Sequence, residues 1–177
     1  MGKPALFIDR DGTINRDCPY CKSADEISIY DDVYDPIKEL SKRYYIIIVT
    51  NQSGIARGYF TEKDLALMHE KIKREIGTRG GRIDAIYYCP HMPDTGCRCR
   101  KPKTGMLEDA KRDFEIDINK SFVIGDAEID IEMAKYAGVR SIKVRGTKTE
   151  IKPDFTADTF SEVLSIIRSQ EKATTEL

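Results

Sequence analysis

The run Ala5-Leu6-Phe7-Ile8 stops abruptly at Asp9. A short apolar run with no polar alternation reads as a strand buried on both faces of a parallel sheet, and it limits the chain to folds that cover such a sheet twice. The pattern recurs. Tyr44 to Val49 ends at Thr50-Asn51, Ile83 to Tyr88 runs into Cys89, and Ser121 to Ile124 passes Gly125 to reach Asp126. Ile142 to Val144 is a fifth candidate strand. All but the last deliver polar residues at their C-terminal ends.

Helical patterns lie between these runs, the alternation expected of βαβ units. Thr61-Glu62-Lys63-Asp64 resembles a capping box with Asp in place of Glu, and Leu65, Met68, Ile72 and Ile76 follow at helical spacing until Gly80-Gly81. Shorter helices are expected over Val33 to Arg43, Gly105 to Phe114, Ile129 to Ala137 with Gly138 as its stop, and Phe160 to Arg168. The reading is a single Rossmann-like α/β domain over residues 1–170, three-layered around a central parallel sheet, with a polar, frayed tail at 171–177. Neither Thr13 to Tyr44 nor the cysteine-rich region can form a separate cap domain. In open α/β sheets ligands bind beyond the carboxyl ends of the strands, so Asp9, Thr50, Cys89 and Asp126 should gather along one edge.

Composition excludes several classes. Lys and Arg number 29 against 30 Asp and Glu, so no net positive field draws the chain to nucleic acid or to an anionic membrane. The N-terminal apolar run is broken by Asp9 and is neither a signal peptide nor a spanning helix. A cytoplasmic protein is expected, with no oligomeric state specified.

Asp9-Arg10-Asp11-Gly12-Thr13 places two carboxylates beside a turn-forming glycine, where one can attack phosphorus and the other can handle the proton of the leaving oxygen. Taken alone it is also an ordinary Asp-Gly turn. In Thr50-Asn51-Gln52-Ser53-Gly54-Ile55-Ala56-Arg57-Gly58, a hydroxyl, amides and exposed backbone N–H groups suit phosphoryl oxygens. Gly125-Asp126 adds a late carboxylate; Asp130, four residues on, can share a helix face with it, and Asp126 would also serve as a helix N-cap. Three independent loops converging on one phosphate-binding set favour chemistry over coincidence.

Cys89, His91, Cys97 and Cys99 form a C-x-H, five residues, C-x-C pattern. Four such ligands describe a closed structural Zn2+ site over the loop 89–99, since a catalytic zinc keeps a position for water. Met92 to Gly96 has little apolar content with which to hold itself folded. The Cys18-Pro19-Tyr20-Cys21 stretch is expected to carry free thiols in a surface loop. His69, among charged neighbours, is expected at the surface.

Together these motifs resemble the haloacid dehalogenase-like phosphatases, over roughly Ala5 to Val144. The Thr50 to Gly58 stretch, Cys89-Pro90-His91 and Cys97-Arg98-Cys99-Arg100-Lys101-Pro102 are similar to the branch acting on heptose 1,7-bisphosphate. The resemblance implies Asp9 as nucleophile through an aspartyl-phosphate, Asp11 as acid and then base, and Mg2+ held by Asp9, the backbone carbonyl of Asp11, and Asp126. It further implies that Thr50 steadies the phosphoryl group, Lys101 neutralises it and Arg100 recognises the substrate. Asp17, Cys18, Pro19, Tyr20, Asn51, Gln52, Ser53 and Arg57 would then meet the rest of a small phosphorylated substrate. Many relatives carry Lys, Arg or Ser after the metal Asp; Ala127 here leaves Lys101, or less favourably Lys103, as the cation. The physics agrees: a phosphate dianion is repelled by an ionised aspartate until a divalent ion and a fixed ammonium offset the charge.

Three rivals rank lower. Histidinol-phosphate phosphatases share the first motif and a similar zinc loop but depart over Ser53 to Gly58. Polynucleotide 3′-phosphatases have a related Thr-Asn-Gln segment but are expected to carry a more basic groove and no zinc loop. A catalytically inactive zinc-stabilised binding module is opposed by the intact Asp9, Asp11 and Asp126.

Overall fold

The computed structural model describes residues 2–175. Its strands are β1 (Ala5–Ile8), β2 (Tyr45–Asn51), β3 (Ala85–Cys89), β4 (Phe122–Gly125), β5 (Arg140–Val144) and β6 (Phe155–Ala157). They make one sheet in the order β3-β2-β1-β4-β5-β6, every neighbouring pair parallel. The helices are α1 (Tyr34–Leu40), α2 (Glu62–Thr78), α3 (Gly105–Asp113), α4 (Glu128–Ala137) and α5 (Phe160–Thr175).

Alternate residues of the central strands feed two separate cores, as the period of two requires. Leu6, Ile8, Ile46, Ile48, Phe122 and Ile124 face one side with Ile37 and Leu40 of α1, Leu65, Met68 and Ile72 of α2, and Val163 and Ile167 of α5. Phe7, Ile47, Val49 and Val123 face the other with Met106, Leu107 and Ala110 of α3 and Met133 and Ala134 of α4. This is the three-layer α/β domain with a central parallel sheet, and no separate cap domain interrupts the described residues. Between β1 and β2 lie only α1 and two short 3-10 turns, at Ala24–Glu26 and Asp31–Val33. No helix among the described residues is long and apolar enough to cross a membrane.

Register fixes where the polar strand ends emerge. Phe7 lies opposite Ile47 and Val123, Ile8 opposite Ile48 and Ile124. Asp9 continues the ladder by one bond, its N–H donating to the Ile124 carbonyl at 2.9 Å. Its side chain therefore leaves the sheet at a defined height beside the ends of β2 and β4.

Several boundaries differ from the sequence reading. β3 starts at Ala85, not Ile83, because the Asp84 carboxylate accepts the Ile46 N–H at 2.8 Å while Ile83 turns into the core. β6 is unforeseen: three residues at a sheet edge carry no readable alternation. α5 continues through Thr175, so 171–175 are helical where fraying was expected, and the remaining 176–177 lie outside the described residues. His69 is not at the surface; it is 7% exposed, on the inner side of α2 with Leu65, Met68 and Ile72.

The expected capping box of α2 forms. The Asp64 N–H donates to Thr61 Oγ1 at 3.2 Å, and the Thr61 N–H donates to the Asp64 carboxylate at 2.8 Å. Thr61→Ala should lower stability by about 1 kcal/mol, read as a reduced urea midpoint with unchanged m-value; an unmoved midpoint would show the cap to be dispensable.

Candidate active site

Asp9 on β1, Thr50 and Asn51 on β2, Lys101 after the cysteine loop, and Asp126 and Asp130 around the start of α4 converge at the C-terminal edge of the sheet. Lys101 is at the centre. Its Nζ donates to Asp9 Oδ1 at 2.5 Å and to Asp130 Oδ1 at 2.7 Å, and the side chain is buried. Asn51 holds the Lys101 backbone from both sides: its Oδ1 accepts the Lys101 N–H at 3.0 Å and its Nδ2 donates to the Lys101 carbonyl. Lys103, the less favoured cation, points away and donates to the carbonyls of Gly96 and Cys97.

Asp126 is not the helix cap considered from sequence. Ala127 occupies the N-cap position of α4, and the Asp130 carboxylate accepts its N–H at 3.2 Å. Asp126 instead accepts from Thr13 Oγ1 at 3.0 Å. It also packs against the backbone of Gly12, which has φ +79°, and a Cβ there would stand 2.5 Å from Asp126 Oδ2. Glycine at position 12 therefore meets both a turn and a contact requirement.

Asp11 is held by its neighbours. The Arg10 guanidinium forks onto both carboxylate oxygens at 2.9 Å, Asn15 Nδ2 donates to Oδ1 at 3.0 Å, and Gln52 Nε2 donates to Oδ2 at 2.8 Å. Gln52 Nε2 also reaches Thr50 Oγ1 at 2.8 Å, tying the second motif to the first. Behind Arg10, His69 Nε2 lies 3.4 Å from Nη1. Burial, with the Arg10 charge beside it, pushes His69 down to about 3, so the ring is neutral and can accept from the guanidinium.

The carboxylates are short of positive charge. Burial pushes Asp9 up to about 7; Lys101 opposes the rise, and Asp130 and Asp11 add to it. Burial and then the charge of Asp9 push Asp126 up to about 6. Burial disfavours the Lys101 ammonium as well, but Asp130 and Asp9 more than reverse this and hold it above its ordinary value. Asp9, Asp126 and Asp130 bring ligand oxygens within 4.8 Å of one another with a single buried ammonium among them. Asp130 gives one oxygen to Lys101 and the other to the Ala127 N–H, whereas Asp9 gives Lys101 only Oδ1, which leaves Asp9 Oδ2 and the Asp126 carboxylate as hard oxygen donors whose mutual repulsion a divalent cation would relieve. Mg2+, which prefers few carboxylates and keeps waters, fits that pair.

The cysteine loop is assembled as its spacing predicts. Cys89 Sγ lies 3.6 Å from both His91 Nδ1 and Cys97 Sγ, and His91 Nδ1 lies 3.3 Å from Cys99 Sγ. Bonds of about 2.0–2.3 Å to a tetrahedral Zn2+ give edges of about 3.5–3.8 Å, so the four donors suit that ion. Arg100 turns back toward this loop, its Nη1 donating to the His91 carbonyl at 3.2 Å.

Asp17, Cys18, Pro19, Tyr20, Asn51, Gln52 and Ser53 border one cavity of about 320 Å³ with Arg10 and Asp11. Arg57 stands at its margin, the guanidinium 5.7 Å from the Tyr20 ring centre. The expectation of free thiols is corrected: Cys18 and Cys21 are joined in a disulfide. A three-residue separation across a tight turn, with the Cys21 N–H donating to the Cys18 carbonyl, brings the sulfurs together.

An aspartate at the end of a central parallel strand, a buried lysine upon it and a late aspartate pair define a site for phosphate-ester hydrolysis at the edge of a parallel sheet. Comparison with known proteins agrees. Residues 98–163 match the HAD-hydrolase-like family. A probable D-glycero-D-manno-heptose-1,7-bisphosphate 7-phosphatase of Thermoplasma acidophilum is 47% identical over 136 residues, 76% of this chain and 85% of that protein. The D-glycero-beta-D-manno-heptose-1,7-bisphosphate 7-phosphatase of Photorhabdus laumondii is 41% identical over 170 residues, 92% of this chain and 87% of that one. The crystal structure of the D,D-heptose 1,7-bisphosphate phosphatase from B. bronchiseptica, complexed with magnesium and phosphate, superposes with a TM-score of 0.85 at 32% identity, covering 94% of this chain and 99% of that one. The chain belongs to the haloacid dehalogenase-like phosphatases.

Arg10, Asn15 and His69 around Asp11, and the Asp130 contact to Lys101, were not read as site features from sequence. For His69 a signal existed, since it falls four residues after Leu65 and three before Ile72 on the apolar stripe.

The carboxyl shifts set a linkage. A carboxyl whose folded value is raised binds its proton more tightly when folded, so in Mg2+-free, zinc-loaded protein Asp9 and Asp126 lose stability as pH rises from about 4 through about 7. His69, depressed to about 3, has the opposite sign, with stability rising between about 3 and 6.5. The Mg2+ increment isolates the carboxyls: the rise in Tm on adding Mg2+ should be several-fold larger at pH 8 than at pH 5. An increment independent of pH would show that Mg2+ does not bind these carboxylates.

Proposed function

We propose that the chain is a cytoplasmic, Mg2+-dependent phosphatase that converts D-glycero-D-manno-heptose 1,7-bisphosphate to the 1-monophosphate. The observation that carries the reading is the buried Lys101 ammonium on Asp9 at the end of β1, in a chain 41% identical over nine-tenths of its length to an enzyme named for that reaction. The Asp9 carboxylate attacks the phosphorus of the 7-phosphate, and the sugar oxygen leaves with a proton from Asp11. Water then attacks the aspartyl-phosphate, with Asp11 as base, releasing phosphate and restoring Asp9. Arg10, Asn15 and Gln52 orient the Asp11 carboxylate. Lys101 and Thr50 hold the phosphoryl oxygens, with Lys101 offsetting charge that grows in the transition state. Bound by Asp9, the Asp11 carbonyl and Asp126, Mg2+ supplies the charge that lets a dianion approach a carboxylate. The residues bordering the cavity receive the rest of the substrate, and Arg100 joins them by releasing the His91 carbonyl. Zn2+ on Cys89, His91, Cys97 and Cys99 fixes the loop from which Arg100 and Lys101 extend.

Released phosphate, measured with heptose 1,7-bisphosphate and Mg2+, tests the reaction. Asp9→Asn keeps the shape without the attacking charge and should reduce turnover to background while the fold survives; a tenth of the wild-type rate remaining would exclude attack by Asp9. The zinc assignment is tested separately. Metal analysis should find one Zn2+ per chain, and Cys97→Ser should lose the zinc and lower Tm by about 5 °C or more. Undiminished stability in a zinc-free preparation would rule the site out.

A further inference from the structure

The border of the cavity beside Asp11 is about half polar, with Asp17, Asn51, Gln52 and Ser53 contributing, and Tyr20 is its single aromatic residue. That ring is presented in an unusual way. Tyr20 is a non-glycine residue at φ +57°, a left-handed conformation that persists only where the surroundings impose it. It stands between Cys18 and Cys21, whose disulfide closes the turn around it. Cys21 is 1% exposed and packs in the core cluster containing Ile14 and Ile27, so the bridge ties an otherwise exposed turn to the interior. From outside the cavity, Tyr59 meets Tyr20 edge to face, with ring centres 4.8 Å apart at 72°. The Tyr59 backbone is anchored, its N–H donating to the Gly54 carbonyl at 2.9 Å. Both rings are nearly half exposed, although neither is needed by a core.

A sugar carries hydroxyls on its edges and apolar C–H groups on its faces. Polar side chains with one rigid aromatic wall match that distribution. We propose that the Cys18–Cys21 disulfide is a redox-linked specificity element: closed, it holds Tyr20, braced by Tyr59, as the wall that receives a sugar C–H face. Opened, it lets the wall move and weakens sugar binding. The inference rests on the sugar-phosphate reading above. Opening requires a two-electron reductant; a phosphine can supply the electrons in vitro, and with a dithiol the step is thiol–disulfide exchange. The dithiol's thiolate attacks the more exposed sulfur, Cys18, and Cys21 leaves as a thiolate and takes up a proton. The second thiol of the reductant then displaces Cys18 and closes the reductant's own disulfide, so two electrons and two protons pass to the protein. Tyr59 is a positioning residue in this scheme.

The test compares air-oxidised full-length protein with protein treated with tris(2-carboxyethyl)phosphine, zinc content being measured in both. After alkylation and trypsin, the peptide Asp17–Lys22 should lack both carbamidomethyl groups in the oxidised sample and carry both in the reduced one. KM for heptose 1,7-bisphosphate should rise about fivefold on reduction, with kcat within about twofold and a clearly smaller change for acetyl phosphate, which has no sugar face. Tyr59→Ala should reproduce the KM rise in the oxidised enzyme, and Tyr59→Phe should restore the wild-type value. Full alkylation of the peptide in the oxidised sample, or turnover with a KM indifferent to both reduction and Tyr59→Ala, overturns the specificity element and leaves the phosphatase reading standing. No turnover of heptose bisphosphate by oxidised enzyme that still hydrolyses acetyl phosphate removes the substrate reading and this inference together.

Discussion

The Lys101 ammonium, buried between Asp9 and Asp130, is the interaction on which the site depends. It joins three parts of the chain that are remote in sequence: the end of β1, the segment after the cysteine loop, and the first turn of α4. Such an arrangement is not a cheap source of stability, because desolvating the charges offsets most of their attraction, whereas leaving one partner uncompensated is destabilising by about 3–5 kcal/mol. Its value lies in placement. An ammonium that must satisfy two buried carboxylates has almost no freedom, and the Asp9 carboxylate it touches is oriented with it. The Asn51 amide extends the same constraint to the Lys101 backbone.

Around that contact, rigidity decreases outward. Asp9 and Asp126 are set by the sheet and by the close approach of Gly12. Asp11 is set by side chains alone, with Arg10 held between its carboxylate and the neutral His69 ring. The cavity border beyond it is formed by loops and relies on a covalent link at Cys18–Cys21. The charged cluster thus sits on the stiffest elements and the cavity border on the most adjustable, an arrangement suited to keeping one reaction while its substrate varies.

Most of the fold was legible because β1, β2 and β4 are buried on both faces and so appear as uninterrupted apolar runs. The placement of Asp9, Thr50 and Asp126 at one edge followed from the rule for strand ends. What escaped notice was non-local or short. The partnership of Lys101 with Asp130 spans 29 residues and has no spacing signature. β6 is three residues at an edge. His69 lies beside Glu70 and Lys71, and local charge concealed a position on the apolar stripe of α2. A C-x-x-C pattern carries no oxidation state, so the pairing of Cys18 with Cys21 shows only in the folded turn.

The strand order has a consequence for how the molecule is made. β1 is made before the other five strands of its sheet, yet it is sandwiched between β2 and β4, and β4 ends only at Gly125. While some seventy residues separating those two neighbours are being synthesised, β1 has a partner on one side and an open row of backbone donors and acceptors on the other. Parallel pairing across so long a loop is slow, and an open edge in that interval invites wrong partners. The strand that carries Asp9 is thus begun before the rest of its sheet and completed late, and its edge is open longest between the synthesis of β2 and that of β4.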